Sequence, residues 1–286
     1  MLQDQGIGKI SSFLKHSILN FNFNTMQIPI YQVDAFSSNV FGGNPAAVCP
    51  LESWLTDDLM QKIALENNLA ETAFFVQETD TRFHIRWFTP TVEVDLCGHA
   101  TLATAHVLFT ELGYGHEVIE FFSRSGILTV QKQGDLLELN FPADEIKEVE
   151  PLSALNECLE VNILHTFRGK SDYMVVLENE TLVLELRPDF RQMAIIEARG
   201  IIATAKGSKV DFVSRFFGPQ SGIDEDPVTG SAHTTLTPYW AEQLGKTELT
   251  AWQISPRKGE LWCKLEGDRV KIAGKAVLYL KGQIFV

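Results

Sequence analysis

Three short segments carry residues able to move a proton or hold an anion. The first is Asn68-Leu69-Ala70-Glu71-Thr72-Ala73-Phe74, where Glu71 stands among apolar neighbours. A carboxyl desolvated in such a place has its pKa raised, which suits general acid–base work near neutral pH. An exposed or capping glutamate would fit the same letters. The second is Glu93-Val94-Asp95-Leu96-Cys97-Gly98-His99-Ala100-Thr101, and the third is Glu225-Asp226-Pro227-Val228-Thr229-Gly230-Ser231-Ala232. In both, a glycine opens an expected helix. A helix start offers free N–H groups and the positive end of a dipole, and glycine lets a ligand approach the backbone. Two such starts facing each other would form a carboxylate-binding cleft with functional groups on both faces of the ligand. Gly98 and Gly230 would serve tight helix packing equally well.

Other chemistries fit less well. Cys97 and His99 could be two metal ligands, but their spacing supplies no third or fourth partner. A racemase with one thiol on each face needs a second cysteine, and Thr229 stands where Cys97 would be matched. A threonine hydroxyl does not replace a thiolate, so Cys97 reads as a small packing residue. Val228-Thr229-Gly230-Ser231 lacks the lysine of a phosphate loop. His84, His106 and His233 stand singly in strand or helix runs. Gly42-Gly43-Asn44-Pro45 reads as a turn that could also rim the cleft.

The elements that would position these groups occur twice. Arg86-Trp87-Phe88-Thr89-Pro90 is matched by Arg215-Phe216-Phe217-Gly218-Pro219, and Cys97-Gly98-His99-Ala100 by Thr229-Gly230-Ser231-Ala232. Arg124-Ser125-Gly126 followed by Gly134-Asp135 is matched by Arg257-Lys258-Gly259 followed by Gly267-Asp268. The offsets are 129, 132 and 133 residues. Landmarks in one order at a nearly constant offset indicate an internal duplication. We therefore expect two similar domains, residues 26–145 and 146–275. The last strand, 276–286, would cross back to the first domain, and residues 1–25 would be an extension. A weaker match sets the helical run Asp58–Asn67 against Asp189–Arg199.

Phe83, Ile85 and Trp87 alternate as a strand does. Gly134-Asp135 and Gly267-Asp268 each separate two strand-like runs, a hairpin signal. Thr56 is a candidate N-cap for a helix over 57–67. From Gly98 onward Ala100, Leu102, Ala103, Ala105, Val107, Leu108 and Phe109 leave almost no polar face, so that helix should be buried all round. Its counterpart should start at Gly230, with a kink or early end at Pro238. The fold class expected is α+β: two pseudo-symmetric domains, each a barrel-like mixed sheet wrapped around a central helix.

Composition sets the outer limits. The chain has 286 residues, 45% of them hydrophobic, and a net charge of −13. It can bury a full core, and it suits neither nucleic acid nor an anionic membrane as a partner. Four cysteines without paired spacing indicate free thiols and a cytoplasmic location. The first 25 residues show no signal-peptide pattern.

Asn44-Pro45-Ala46-Ala47-Val48, Asn68–Phe74, Arg86–Pro90, Glu93–Thr101, Glu225–Ala232 and Pro238-Tyr239-Trp240 together resemble the PhzF family of phenazine-biosynthesis proteins. The resemblance covers residues 27–286. It implies a diaminopimelate-epimerase-like fold and a cofactor-independent, metal-free isomerisation at the domain interface, often in a homodimer. The founding activity moves a proton between ring carbons of trans-2,3-dihydro-3-hydroxyanthranilate. By the same resemblance Glu71 is the general acid/base, and His99 and Asp226 position the substrate and assist proton transfer. Gly98, Gly230 and Ser231 hold the carboxylate. Ala70 stands where the family often has serine, and Arg257-Lys258-Gly259 where it often has Arg-Gly-Gly. These departures bear on the substrate more than on the reaction type. The reading is an isomerase acting on a small carboxylate. The alternative is a non-catalytic ligand-binding or regulatory protein using the same cleft.

Overall fold

The computed structural model describes residues 26–286, so the expected extension over 1–25 lies outside the described residues. The first half contains β1 (Gln27–Ala35), β2 (Asn44–Leu51), α1 (Asp57–Asn67), β3 (Glu71–Gln77), β4 (Arg82–Phe88), β5 (Glu93–Val94), α2 (Gly98–Thr110), β6 (Val118–Ser123), β7 (Gly126–Gln133) and β8 (Leu136–Pro142). The second contains β9 (Lys147–Glu148), α3 (Ser153–Leu159), β10 (His165–Arg168), β11 (Asp172–Val176), α4 (Glu180–Glu185), α5 (Phe190–Met193), β12 (Gly200–Lys206), β13 (Phe212–Gly218), β14 (Ile223–Asp226), α6 (Ala232–Leu244), β15 (Glu248–Gln253), β16 (Gly259–Glu266), β17 (Arg269–Gly274) and β18 (Ala276–Phe285).

Strand pairing repeats between the halves. β2 runs parallel to β3, β3 antiparallel to β4, and β4 parallel to β6, which leads through β7 to β8. β11, β12, β13, β15, β16 and β17 pair in the same senses. The short strands β5 and β14 pair with β4 and β13. β8 and β17 pair with each other from Leu137↔Gly274 to Pro142↔Arg269, fusing the two sheets at their matching edges. Each half also takes a strand from the other's end of the chain. β18 follows β17 but pairs with β1, and β9 follows β8 but pairs with β10.

Local chemistry accounts for these elements. The turns at Gly134 and Gly267 have φ of 62° and 60°, a conformation glycine adopts without steric cost. Thr56 caps α1 by accepting a hydrogen bond from Leu59 N–H. The α2 residues from His99 to Ala105 are all buried, as are Val107 and Leu108. α2 lies inside the sheet of its half, against the inward residues Ala73, Phe75, Ile85 and Trp87. On the outer face of the same sheet, Met60, Ile63 and Ala64 of α1 cover Ala47, Cys49, Phe74 and Phe88. In the second half α6 is the inner helix, and α3 to α5 cover the outer face. The architecture is α+β: two pseudo-symmetric halves, each a barrel-like mixed sheet around a central helix.

Three expectations need correction. The second central helix starts at Ala232, not Gly230. Its entry is a tight turn in which Ala232, His233 and Thr234 N–H donate three residues back. Pro238 does not end the helix, which continues to Leu244. Proline removes the N–H that would have bonded the Thr234 carbonyl, and Asp144 N–H of the connector donates to that carbonyl instead, at 3.1 Å. The match between Asp58–Asn67 and Asp189–Arg199 holds for one turn only. Asp189 caps α5 through the N–H groups of Arg191 and Gln192, but α5 ends at Met193. No helix among the described residues is long and apolar enough to cross a membrane.

Candidate active site

Glu71 is the first residue of β3, and parallel pairing sets it opposite Ala46 of β2. His99 is the second residue of α2 and is buried. Glu71 Oε2 lies 3.0 Å from His99 Nε2. That carboxylate oxygen is a buried atom, yet it accepts no aligned hydrogen bond from the described residues. The Glu71 side chain as a whole keeps 17% of its surface exposed, so the carboxyl is reachable. Asp226, from the other half, ends β14 and is buried.

Asn44 joins the halves; the residue pattern placed it in a turn that could rim the cleft and gave it no bonding role. Its amide nitrogen donates to Asp226 Oδ1 at 2.7 Å and to the Val228 carbonyl at 3.0 Å, and it stands 3.2 Å from His99 Nδ1. Both strong neighbours are acceptors, which fixes the orientation of the amide. Asn44 Oδ1, also buried, has no partner among the described residues. The other oxygen of Asp226 accepts from the Thr229 hydroxyl at 2.5 Å. Gln253 braces this turn by accepting from Thr229 N–H at 2.8 Å and donating to the Asp226 carbonyl at 2.8 Å. Nothing in the residue pattern singled out Gln253, whose complete burial is visible only in the folded chain. For Asn44 the available signal was the Gly-Gly that precedes it. A Cβ on Gly43 would sit 2.0 Å from the Ala35 carbonyl oxygen, so only glycine permits this approach to Asn44.

The glycines meet. A Cβ built on Gly98 would lie 3.8 Å from Gly230 Cα, so the start of α2 and the turn entering α6 abut. Ser231 is turned to a different neighbour, and its hydroxyl accepts from Arg199 Nη1 at 2.8 Å. Arg199 is held in turn by the buried carboxylate of Asp172. Neither residue was singled out beforehand.

Electrostatics separates the roles. Burial works against a charge on His99, but the Cys97 sulfur and the Glu71 carboxylate outweigh it and hold the imidazole well above its ordinary value. Burial pushes the Cys97 thiol up to about 11, so it is neutral near pH 7 and Glu71 is the partner that counts. Cys97 Sγ is 3.5 Å from His99 Nδ1 and 4.0 Å from Nε2. A sulfur almost equidistant from both nitrogens lies beside the ring, not along one lone pair, which disfavours a thiol–imidazole nucleophile. Burial raises Asp226 to about 6, against the opposing effects of His99, Thr229 and Asn44. Burial lowers His233 to about 4, which keeps it neutral as a core residue.

The site therefore contains a reachable carboxyl, an imidazole beside it, a second carboxyl poised near neutrality, and two abutting chain turns rich in N–H groups. A cavity of about 720 Å³ lies elsewhere, behind Asp226 on the outer face of the second half. It reaches Glu225 and Ser255 but none of Glu71, His99 and Asp226.

Comparison with known proteins identifies the family. The sequence pattern of the PhzC-PhzF family, phenazine biosynthesis-like protein, matches residues 33–282. The chain is 54% identical over 259 residues to an uncharacterized isomerase from Pseudomonas aeruginosa, covering 91% of this chain and 99% of that one. It superposes on a crystal structure of a PhzF family protein from Enterococcus faecalis with a TM-score of 0.89 and 46% identity, covering 91% and 100% of the two chains. A predicted epimerase from Pseudomonas aeruginosa, at 18% identity and a TM-score of 0.70 over 90% of this chain and 99% of that one, shares the fold. The chain belongs to the PhzC-PhzF family of phenazine biosynthesis-like proteins.

Proposed function

We propose that this protein is an isomerase that moves a proton on a small carboxylate, with no cofactor, where the start of α2 meets the turn into α6. Glu71 takes a proton from one carbon of the substrate and returns it to another carbon of the same molecule, so no atom is gained or lost. N–H groups at Gly98, Gly230 and Ser231 hold the carboxylate and stabilise the negative charge that develops as the proton leaves. His99 and Asp226 orient the substrate and share the proton inventory. The isomerase in the name of the 54% identical relative supports the reaction class. Family membership makes isomerisation related to that of trans-2,3-dihydro-3-hydroxyanthranilate the first reaction to try. We read residues 26–145 with 276–286 and residues 146–275 as the two domains that bound the site.

The observation that carries this reading is Glu71 Oε2, buried, 3.0 Å from His99 Nε2 and unused by any aligned donor among the described residues. A purely structural carboxylate would have its lone pairs occupied. The test is proton NMR in D₂O with trans-2,3-dihydro-3-hydroxyanthranilate and a panel of small amino and hydroxy acids. Deuterium should enter one of them with wild type and not with Glu71→Gln. A folded wild type that is stabilised by a ligand in thermal unfolding, but exchanges deuterium into none, would instead establish the non-catalytic binding protein.

A further inference from the structure

We propose that Glu71, Cys97 and His99 also form a binding site for a divalent ion of the zinc class, and that the bound ion switches the isomerase off. The inhibition rests on the functional reading above; the binding does not. Cys97 and His99 alone supplied two ligands, and the strand start of β3 brings the third. One ligand atom from each residue lies within 4.8 Å of the others. His99 Nε2 to Glu71 Oε2 is 3.0 Å, and Cys97 Sγ to His99 Nε2 is 4.0 Å. Ligand atoms about 2.0–2.3 Å from one tetrahedral zinc lie roughly 3.3–3.8 Å from each other. The two printed separations lie just below and just above that range, and the three ligand atoms all lie within 4.8 Å of one another, so side-chain rotations would close the site.

The ligand chemistry selects the ion. A thiolate, an imidazole and a carboxylate form a soft, mixed set that suits zinc or cobalt and not magnesium or calcium, which take oxygen ligands. Among the described residues the buried Glu71 Oε2 has no aligned donor to surrender. Three protein ligands leave a fourth position for water or a substrate carboxylate, the pattern of an open zinc site. As the sulfur–metal bond forms, the Cys97 thiol releases its proton to solvent, and His99 likewise arrives as neutral imidazole. The ion then occupies the oxygen that would carry the substrate's proton, and turnover stops.

The experiment titrates Co²⁺, and then Zn²⁺ in competition with it, into the full chain freed of metal. One Co²⁺ per chain should bind, with a thiolate-to-cobalt absorption band in the near ultraviolet that Zn²⁺ abolishes. Cys97→Ser should remove the band, and His99→Asn and Glu71→Gln should each weaken affinity tenfold or more, with circular dichroism confirming that each variant is folded. Cys49, Cys158 and Cys263 are buried elsewhere, so a band that persists in Cys97→Ser overturns the assignment. So does the absence of stoichiometric binding to wild type. In the deuterium-exchange assay Zn²⁺ should inhibit wild type, and a chelator should restore it. Zn²⁺ that binds but leaves exchange unchanged, or accelerates it, overturns the inhibitory role. Failure to find any exchanged substrate bears on the isomerase reading and leaves the cobalt result intact.

Discussion

In the first half Arg86 of β4 grips Glu93 with two hydrogen bonds of 2.7 Å. In the second, Arg215 of β13 grips Glu225 in the same bidentate way, at 2.7 and 2.8 Å. The scaffold keeps one ion pair twice. A few residues away the halves part. The first residue of β3 is Glu71, whereas the first residue of β12 is Gly200, where a Cβ would lie 2.1 Å from the Phe216 ring. After the matching glycines, Gly98 and Gly230, the first half has His99, which meets Glu71; the second has Ser231, which meets Arg199. The Glu71–His99 contact of one half thus corresponds in position to an Arg199–Ser231 contact in the other. The duplicated ion pair is alike in both halves, whereas the residues after the matching glycines differ. The isomerisation proposed above would use this difference, with Glu71 carrying the proton and the Gly230–Ser231 turn helping to hold the carboxylate.

The sharpest way to break this contrast is through the reaction. Glu71→Gln should slow deuterium exchange by about 100-fold or more, the usual scale for removing a general acid–base. Arg199→Gln removes the donor that holds the Ser231 hydroxyl at the proposed carboxylate site, so it should raise KM more than it lowers kcat. Exchange that survives in Glu71→Gln and vanishes in Arg199→Gln would reverse the two roles.

The shared ion pair offers a second comparison. Arg215 is 8% exposed and also donates to the carbonyls of Val183, Leu184 and Leu186. Removing it leaves Glu225 with no other cation among the described residues. Arg86 is 15% exposed, and in its absence Glu93 keeps Arg124 at 2.7 Å. Arg215→Met should therefore cost about 3–5 kcal/mol, the scale for stranding a buried charge, and Arg86→Met distinctly less. Urea unfolding measures both, and equal losses would show the two pairs to be energetically equivalent.

Asp226 stands at the position of Val94 in the other half, and its burial should be visible in the pH dependence of stability. Its folded value, about 6, is above the ordinary 3.8. Below about pH 4 both states are protonated and the group is neutral to folding. Between about 4 and 6 the folded state keeps a proton that the unfolded state has released, so stability falls as pH rises. Above 6 the full penalty applies, on the order of 3 kcal/mol. Asp226→Asn should gain on wild type across that window and hold its advantage at pH 8. Thermal unfolding curves that stay parallel from pH 4 to 8 would contradict this.

The smallest effect tests the outer layer. Thr56 caps α1, and Asn179 caps α4 by accepting from Leu182 N–H at 3.0 Å. Replacing either by alanine should cost about 1 kcal/mol in unfolding free energy. A larger loss at one of them would show that its helix supports the sheet beyond its own first turn.

Much of the arrangement was legible in the residues because it depends on near neighbours. Gly-Asp pairs closed both hairpins, the apolar sequence of α2 buried it on every side, and repeated landmarks fell on equivalent strands. Where a local signal misled, a distant contact had intervened. Pro238 was expected to kink α6 or end it early, but the helix runs on to Leu244, and Asp144 from the segment between β8 and β9 supplies a donor to the carbonyl that lost its own. Asp189 promised a helix like α1 and capped only one turn.

Sequence by itself determined the elements, their repetition and the identity of Glu71 and His99 as groups worth watching, because capping, turn geometry and apolar periodicity act over a few residues. Tertiary structure alone decided what those groups touch. Asn44 reaches Asp226 across 182 residues of chain, and Cys97 and His99 at the start of α2 gain Glu71 from the start of β3. A hydrogen bond or shared ion site depends on distances of a few tenths of an ångström. Those are set only when the two sheets fuse through β8 and β17 and bring Gly98 against Gly230.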